Sequence, residues 1–498
     1  MGSKGRRDTL LTLALIVIGA ALWAQQPVPA TPPNIVFILA DDLGYGELGS
    51  YGQKRIRTPR LDRMAADGMR FTQFYAGSTV CAPSRAAFLT GLHTGHSYVR
   101  DNYGVGTHAD DDEKGQFPLP ANHPTLARAL KARGYATAMI GKWGLGGPAT
   151  TGVPNAQGFD FFFGYLDQRQ AHNYYPTHLW KNEERFPLRN KWFSPHQKHE
   201  GDPHDPAAYE KYRGLDYSVD FMTREAESWL RANGARPFFL YFAPTIPHLA
   251  LQVPEAALKP YEGQFPETPY LGDRQYLPNR TPRTTYAAMI TYLDAQVGRI
   301  LDTIREIGAD QRTIVFFTSD NGAIPSISPA EFFESNKPLR GQKTNLYEGG
   351  IRVPMLVRWP GQVRAGSTSD HVGANWDMWA TFAELTGAQA PHPTDGISIV
   401  PTLLGRSGQR EHPSLYWEFH AQGASQAIRM GRWKGIRREI NKRADPPLEL
   451  YDLERDVSET TNLADANPDL VKRFTELMKS SRTEAVLPRW NFQHLSTP

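Results

Sequence analysis

Four short stretches of the chain are apolar at nearly every position: 34–40 (NIVFILA), 135–140 (YATAMI), 237–243 (PFFLYFA) and 313–318 (TIVFFT). Each has strand length, and each is rich in β-branched or aromatic residues. A run of this kind without polar alternation predicts a parallel strand covered on both faces. The segments between them carry helical periodicity. Residues 58–70 read as a capped helix ending at Gly68, Thr125–Gly134 as a second, and Asp220–Asn233 as a third. Tyr286–Gly308 places Met289, Leu293, Val297, Ile300, Leu301 and Ile304 on one face. A further strand is expected at Val353–Trp359 and a helix at Trp376–Leu385, stopped by Gly387. Strands alternating with helices predict an α/β fold, a large mostly parallel central sheet flanked by helices.

Three regions depart from this grammar. Residues 150–215 are rich in Pro, Asn, Gly and aromatics and read as a long surface excursion. From about residue 412, short runs separated by turns (Leu415–Phe419, Gln426–Arg432, Trp433–Arg437, Leu448–Leu453) predict an antiparallel sheet, followed by a helix over Pro468–Ser481. The expected division is therefore a large α/β domain over 31–410 and a smaller C-terminal α+β domain over 411–498. Residues 1–30 read as an export signal: Lys4, Arg6 and Arg7 precede an apolar run from Leu10 to Trp23, with small Ala24 as a cleavage point. The run is short for a membrane span. It implies a periplasmic or secreted protein with no stable span after cleavage, by the general or the twin-arginine route.

A formal net charge of +3 over 498 residues is nearly neutral, so bulk charge gives no argument for nucleic acid. Aromatic residues make up 11% of the chain, mostly for the core, with a few rings left to face a sugar. There is one cysteine, Cys81, so no internal disulfide can form. It stands in Cys81-Ala82-Pro83-Ser84-Arg85, where Ser84 is a candidate N-cap for the apolar run after it and Gly91 a candidate stop. Such a helix would point an anion-favouring N-terminus at its surroundings, and Arg85 would add a fork of donors suited to an oxyanion.

The four apolar runs share a second property. They lead into Asp41-Asp42, Lys142, His248 and Asp320-Asn321. A parallel sheet brings such ends to one edge, where open α/β sheets bind ligands. Asp41, Asp42, Asp320 and Asn321 are all oxygen donors, which suits a hard cation such as Ca²⁺ or Mg²⁺. Arg85, Lys142 and Lys343 would neutralise an anionic transferring group, and His248 is placed to protonate a departing oxygen. His172, in the aromatic excursion, reads as a hydrogen-bonded loop histidine or as a substrate contact.

Cys-x-Pro-Ser-Arg with the trailing Leu89-Thr90-Gly91 resembles the signature of the type I sulfatases of the alkaline-phosphatase superfamily. The other positions are similar one by one. Asp41-Asp42 and Asp320-Asn321 match the family's metal ligands, Lys142 its Gly-Lys-Trp motif, His248 its Pro-His motif, and Lys343 the Gly-x-Lys segment before Tyr-Glu-Gly-Gly. Leu450-Tyr451-Asp452-Leu453 and Glu459–Leu463 resemble the family's tail, so the likeness spans roughly 33–480. It implies an alkaline-phosphatase-like fold and hydrolysis of a sulfate ester, on a sulfated carbohydrate or an aryl sulfate. It also implies that a formylglycine-generating enzyme converts Cys81 to formylglycine (3-oxoalanine), whose hydrate attacks sulfur. One position departs: where many relatives have histidine in Gly-Lys-Trp-His-Leu-Gly, this chain has Gly144. His172, His93 and His96 are candidate substitutes. Two rival readings remain. One is a phosphodiester or phosphonate monoester hydrolase of the same superfamily, and the other a catalytically silent protein that binds sulfated glycans.

Overall fold

The computed structural model describes residues 31–105, 113–273, 275–326, 328–390 and 392–493; the export-signal reading of 1–30 lies outside them. The described residues form fifteen strands: β1 (Asn34–Ala40), β2 (Met69–Tyr75), β3 (Ala136–Lys142), β4 (Phe161–Tyr165), β5 (His178–Lys181), β6 (Glu184–Pro187), β7 (Phe238–Ala243), β8 (Thr313–Ser319), β9 (Arg352–Arg358), β10 (Ser367–Ser369), β11 (Gly373–Ala374), β12 (Leu415–Phe419), β13 (Ser425–Met430), β14 (Trp433–Arg438) and β15 (Leu448–Asp452). Eleven build one sheet in the order β10-β2-β9-β8-β1-β7-β3-β4-β5-β6, with β11 beside β2. The four apolar runs are β1, β3, β7 and β8. Together with β4 they form the parallel heart of the sheet.

β1 shows why its sequence is apolar throughout. Val36, Ile38 and Ala40 enter one core, with the Pro59–Ala66, Ser218–Asn233 and Pro282–Glu306 helices. Ile35, Phe37 and Leu39 enter the other, with the Cys81–Thr90 and Asp377–Thr386 helices. All ten residues of the Cys81–Thr90 helix are buried, and Phe88 stacks on Phe37 at 4.0 Å between ring centroids. This helix is buried on every side, and it takes Cys81, Ser84 and Arg85 inside along with its apolar residues.

The structure corrects two local expectations and supplies a direction the sequence left open. The strand expected at Val353–Trp359 forms, and as β9 it runs antiparallel to both β8 and β2; an apolar run carries no information about direction. The excursion is not all surface. Its FFFGY run is buried β4, parallel to β3, and the β5–β6 hairpin extends the same sheet. Flanking Pro, Gly and Asn disguised a five-residue strand as loop. The helix after the cysteine begins at Cys81 itself, not after Ser84. Val80 occupies the N-cap position, and the Ser84 hydroxyl instead accepts from Gly77 N–H. Gly91 does end the helix, in the left-handed region at φ 69°.

β12–β15 form the expected antiparallel sheet, in that order, with the Pro468–Ser480 helix against it. It joins the large sheet through a shared core containing Tyr75, Trp376 and Trp417. The segment after the helix returns to the main body: Arg100 donates to the Thr483 carbonyl, and Trp490 is buried in the core that holds Phe37 and Phe88. Among the described residues no helix is long and apolar enough to cross a membrane.

Candidate active site

β1, β7, β3 and β8 end at one edge of the sheet, and the N-terminus of the Cys81–Thr90 helix meets that edge. Cys81 is the first helical residue, and the Asn102 side chain caps the adjacent Ala82 N–H at 2.9 Å. Around Cys81 Sγ stand Lys343 Nζ at 3.2 Å, Lys142 Nζ at 3.4 Å and Asp41 Oδ1 at 3.6 Å. Lys142 Nζ donates to Asp41 Oδ2 and Lys343 Nζ to Asp42 Oδ1, both at 2.6 Å. Arg85, one turn along the same helix, donates to Asp320 Oδ2 at 2.8 Å and to the Lys142 carbonyl at 2.6 Å. Asn321 Nδ2 donates to Asp42 Oδ1 at 2.7 Å. Asp42 bends the chain at φ 65°, and its N–H is held by Asp320 Oδ1.

Three carboxylates thus face three permanent cations in a buried cluster. Burial pushes the Cys81 thiol up to about 11, against the pull of Lys142 and Lys343. At neutral pH it is protonated and, as a thiol, a poor nucleophile. Burial also lowers Lys343, but Asp42, Cys81 and Asp41 outweigh it and hold the ammonium well above its ordinary value. Asp320 is raised, by burial first and Asp41 second.

The donor set fits a hard divalent cation. Asp41, Asp42 and Asp320 offer carboxylate oxygens, and Asn321 Oδ1 is buried with no hydrogen-bond partner. A buried carbonyl oxygen with no protein donor, set among carboxylates, fits the oxygen-rich coordination of a hard cation. A divalent ion would take the cluster from neutrality to a net +2, matched to an anionic ester.

His248 flanks the cluster, with Nε2 3.7 Å from Asp42 Oδ2. Its Nδ1 faces the Leu249 carbonyl, which can only accept, so Nδ1 carries the proton and Nε2 is left free to exchange one. Burial, then Lys343 and Lys142, hold its pKa well below the ordinary histidine value. His172 stacks on His248 at 4.7 Å, with 15° between the rings. Its Nδ1 meets His196 Nε2 at 3.0 Å, and Tyr276 closes over all three rings.

The ten residues singled out in the sequence therefore meet at one edge: nine in the cluster or against it, and His172 through His248. His93 and His96 do not join them. They follow Gly91 at the opposite end of the helix, about 15 Å away by its length, where both engage Asp395. Neither can stand in for a histidine at position 144. The space that a side chain at Gly144 would enter is occupied: a Cβ there would lie 2.3 Å from Gln168 Nε2, itself buried without a hydrogen-bond partner. Gln168, His196, Tyr276 and Asn102 were missed in the sequence. They lie in loops without periodicity and are brought in by tertiary packing alone.

Comparison with known proteins gives one answer. The family profile described as Sulfatase matches residues 33–388, and the N-sulphoglucosamine sulphohydrolase C-terminal profile matches 341–484. The chain is 32% identical to human (Homo sapiens) arylsulfatase A over 475 residues, covering 90% of this chain and 87% of that one. It is 30% identical to N-acetylgalactosamine-6-sulfatase of Mus musculus over 431 residues, covering 84% and 75%. Among solved structures, Ps i-CgsB in complex with k-i-k-neocarrahexaose aligns with a TM-score of 0.73 at 26% identity, over 93% of this chain and 94% of that one. The phosphonate monoester hydrolase of Agrobacterium radiobacter, at TM-score 0.64 and 21% identity, covering 90% and 95%, shares the fold. With the sulfatase profile spanning most of the chain, and its relatives sharing about a third of their residues with it, this protein belongs to the sulfatase family and is a sulfuric ester hydrolase.

Proposed function

We propose that the protein is an exported, formylglycine-dependent sulfatase that removes sulfate from a sulfated carbohydrate. The observation that carries this is the setting of Cys81: a buried, protonated thiol between two lysines, beside four oxygen donors. Cysteine chemistry would be silent there, whereas oxidation of Cys81 to an aldehyde would supply a hydrate oxygen as the nucleophile. Asp41, Asp42, Asp320 and Asn321 would hold Ca²⁺ or Mg²⁺, which would supply charge neutralisation for the ester oxygens. Lys142 and Lys343 bind and orient the sulfate group, and Arg85 fixes Asp320 and the end of β3. His248, neutral in the free enzyme and protonated at Nε2 as the anionic substrate enters, gives that proton to the departing alcohol oxygen. His172 and Tyr276 shape the wall where that alcohol lies, with His172 contacting it.

The carbohydrate preference is supported by the aromatic rings around His248 and by the sugar-bound neighbour Ps i-CgsB. The export reading rests on residues 1–30, and a formylglycine-generating enzyme is the maturation partner. We assign 31–410 to the catalytic domain and 411–498 to the C-terminal subdomain. Cys81→Ala tests the proposal. Sulfate release from 4-nitrophenyl sulfate falls to background in that variant, and full activity would overturn the assignment. Parallel rates on matched phenylphosphonate esters separate a sulfatase from a phosphonate hydrolase.

A further inference from the structure

Two imidazoles meet beside His248, and their surroundings fix where their protons sit. His196 Nδ1 lies against the Gln275 carbonyl, which can only accept, so this nitrogen carries the proton. In the neutral ring His196 Nε2 is then an acceptor. His172 Nδ1 stands 3.0 Å from it and donates. His172 Nε2 is left without a proton. It makes no hydrogen bond with a described residue, and the His172 side chain is only half-buried. Burial, then His248, Lys142, His196 and Lys343, hold His172 well below the ordinary histidine value, so the ring stays neutral and Nε2 stays an acceptor.

The pair is held from several sides. Gln275, whose carbonyl meets His196, has φ 91°, a left-handed value that residues with a side chain seldom adopt. Ser194 Oγ accepts from His196 N–H at 3.2 Å. Tyr276, next in the chain, packs against both rings, 5.1 Å from His172 and 5.4 Å from His196. His172 lies nearly flat on His248, and its backbone carbonyl accepts from Ala250 N–H in the loop that carries His248. The acceptor is thus locked to the element that bears the proton donor of the reaction.

We propose that His196 is a positioning residue: with the Gln275 carbonyl it fixes His172 as a standing hydrogen-bond acceptor, which selects sulfate esters whose leaving alcohol carries a donor, a hydroxyl or an amide N–H, next to the ester oxygen. The inference rests on the sulfatase reading above. It divides the work of two stacked histidines, His248 supplying a proton and His172 only accepting one in a hydrogen bond.

Two measurements test it. The first needs no substrate. Full-length protein carrying nitrogen-15 in its histidine rings, at about pH 8, should show His172 protonated at Nδ1 and bare at Nε2, its signals identified by their loss in His172→Gln. His196→Phe removes the acceptor and should shift His172 toward the Nε2-protonated form. His196→Gln, whose side-chain carbonyl accepts in its place, should keep the Nδ1 form. The second measurement uses protein co-expressed with a formylglycine-generating enzyme, with 2-hydroxyphenyl sulfate, phenyl sulfate and 2-methoxyphenyl sulfate as substrates. The hydroxyl ester should be favoured about tenfold in kcat/KM over the two that lack a donor. That preference should vanish in His196→Phe and return in His196→Gln, whereas a merely structural role would slow all three esters alike and leave the ratio unmoved. His172 protonated at Nε2 in the parent, a tautomer indifferent to His196→Phe, or a parent with no preference for the hydroxyl ester would each overturn the proposal, as would a preference that His196→Phe leaves intact. No turnover of any ester would count against the sulfatase reading instead, while the nitrogen-15 spectra still decide the role of His196.

Discussion

Replacing Lys434 by methionine will destabilise the protein and also slow it. Lys434 is fully buried, with Nζ 2.9 Å from Glu348 Oε1 and 3.0 Å from Glu459 Oε1. Glu348 receives two further groups, Tyr75 OH at 2.6 Å and Arg352 at 3.2 Å. Burial raises Glu348, but Lys434, Arg352 and Arg429 outweigh it and keep it ionised. Burial pushes Glu459 up, against Lys434 and with Glu348, so Glu459 is the member of the pair that holds a proton first. Methionine keeps most of the buried stem, so the cavity contribution is small. What is lost is the shared cation. Breaking a buried pair from one side costs about 3–5 kcal/mol. Glu459 can escape part of this by protonating, which puts the expected loss near about 3 kcal/mol. Lys434→Met with Glu459→Gln removes the orphaned charge and should recover most of it. Urea unfolding followed by tryptophan fluorescence reads both values. Glu348 also ends the segment that carries Lys343, so turnover of 4-nitrophenyl sulfate should fall in the single variant and return in the double. A single variant within about 0.5 kcal/mol of the parent, or a double variant less stable than the single, would refute the reasoning.

Other expectations concern acidity and metal. Burial raises Glu47 to about 7, where it accepts from Gly44 N–H and contacts Tyr286. A carboxyl with a raised folded-state pKa contributes stability that is complete below its unfolded value and lost as pH rises through the folded one. Stability should therefore decline between about pH 4.5 and 7 on this account, by at most about 3 kcal/mol. Glu47→Gln should flatten that decline in thermal melts, and an unchanged profile would count against it. Chelation followed by desalting should abolish turnover and lower the melting temperature, and Ca²⁺ or Mg²⁺ should restore both. Retained activity after exhaustive chelation would remove the metal from the site.

Much of this was legible in the sequence, for a physical reason. β1, β3, β7 and β8 are buried on both faces, so no charged residue interrupts them before their C-terminal ends. The first charged or imidazole groups at or after those ends are therefore the ones delivered to the sheet's edge. Asp41, Lys142, His248 and Asp320 could be found that way. Direction could not, because the apolar run in β9 reads the same from either end. Nor could the surroundings of Gly144. A missing side chain is visible in a sequence, but the Gln168 amide that fills its place comes from a loop with no period. β2 hid for a different reason: its register with β9 shifts between Phe71 and Phe74, which breaks the alternation that marks a strand.

The returning segment sets an order of events in the life of the chain. Trp490 completes the core that Phe37 and Phe88 begin, and Arg482 reaches Glu418 from the same stretch. The α/β core is therefore complete only once residues 482–490 are in place. In the folded protein Cys81 is 2% exposed and held in a helix. Any enzyme that modifies this cysteine works against a clock. On the formylglycine reading, a variant whose core closed without that segment should mature less completely, however stable it became.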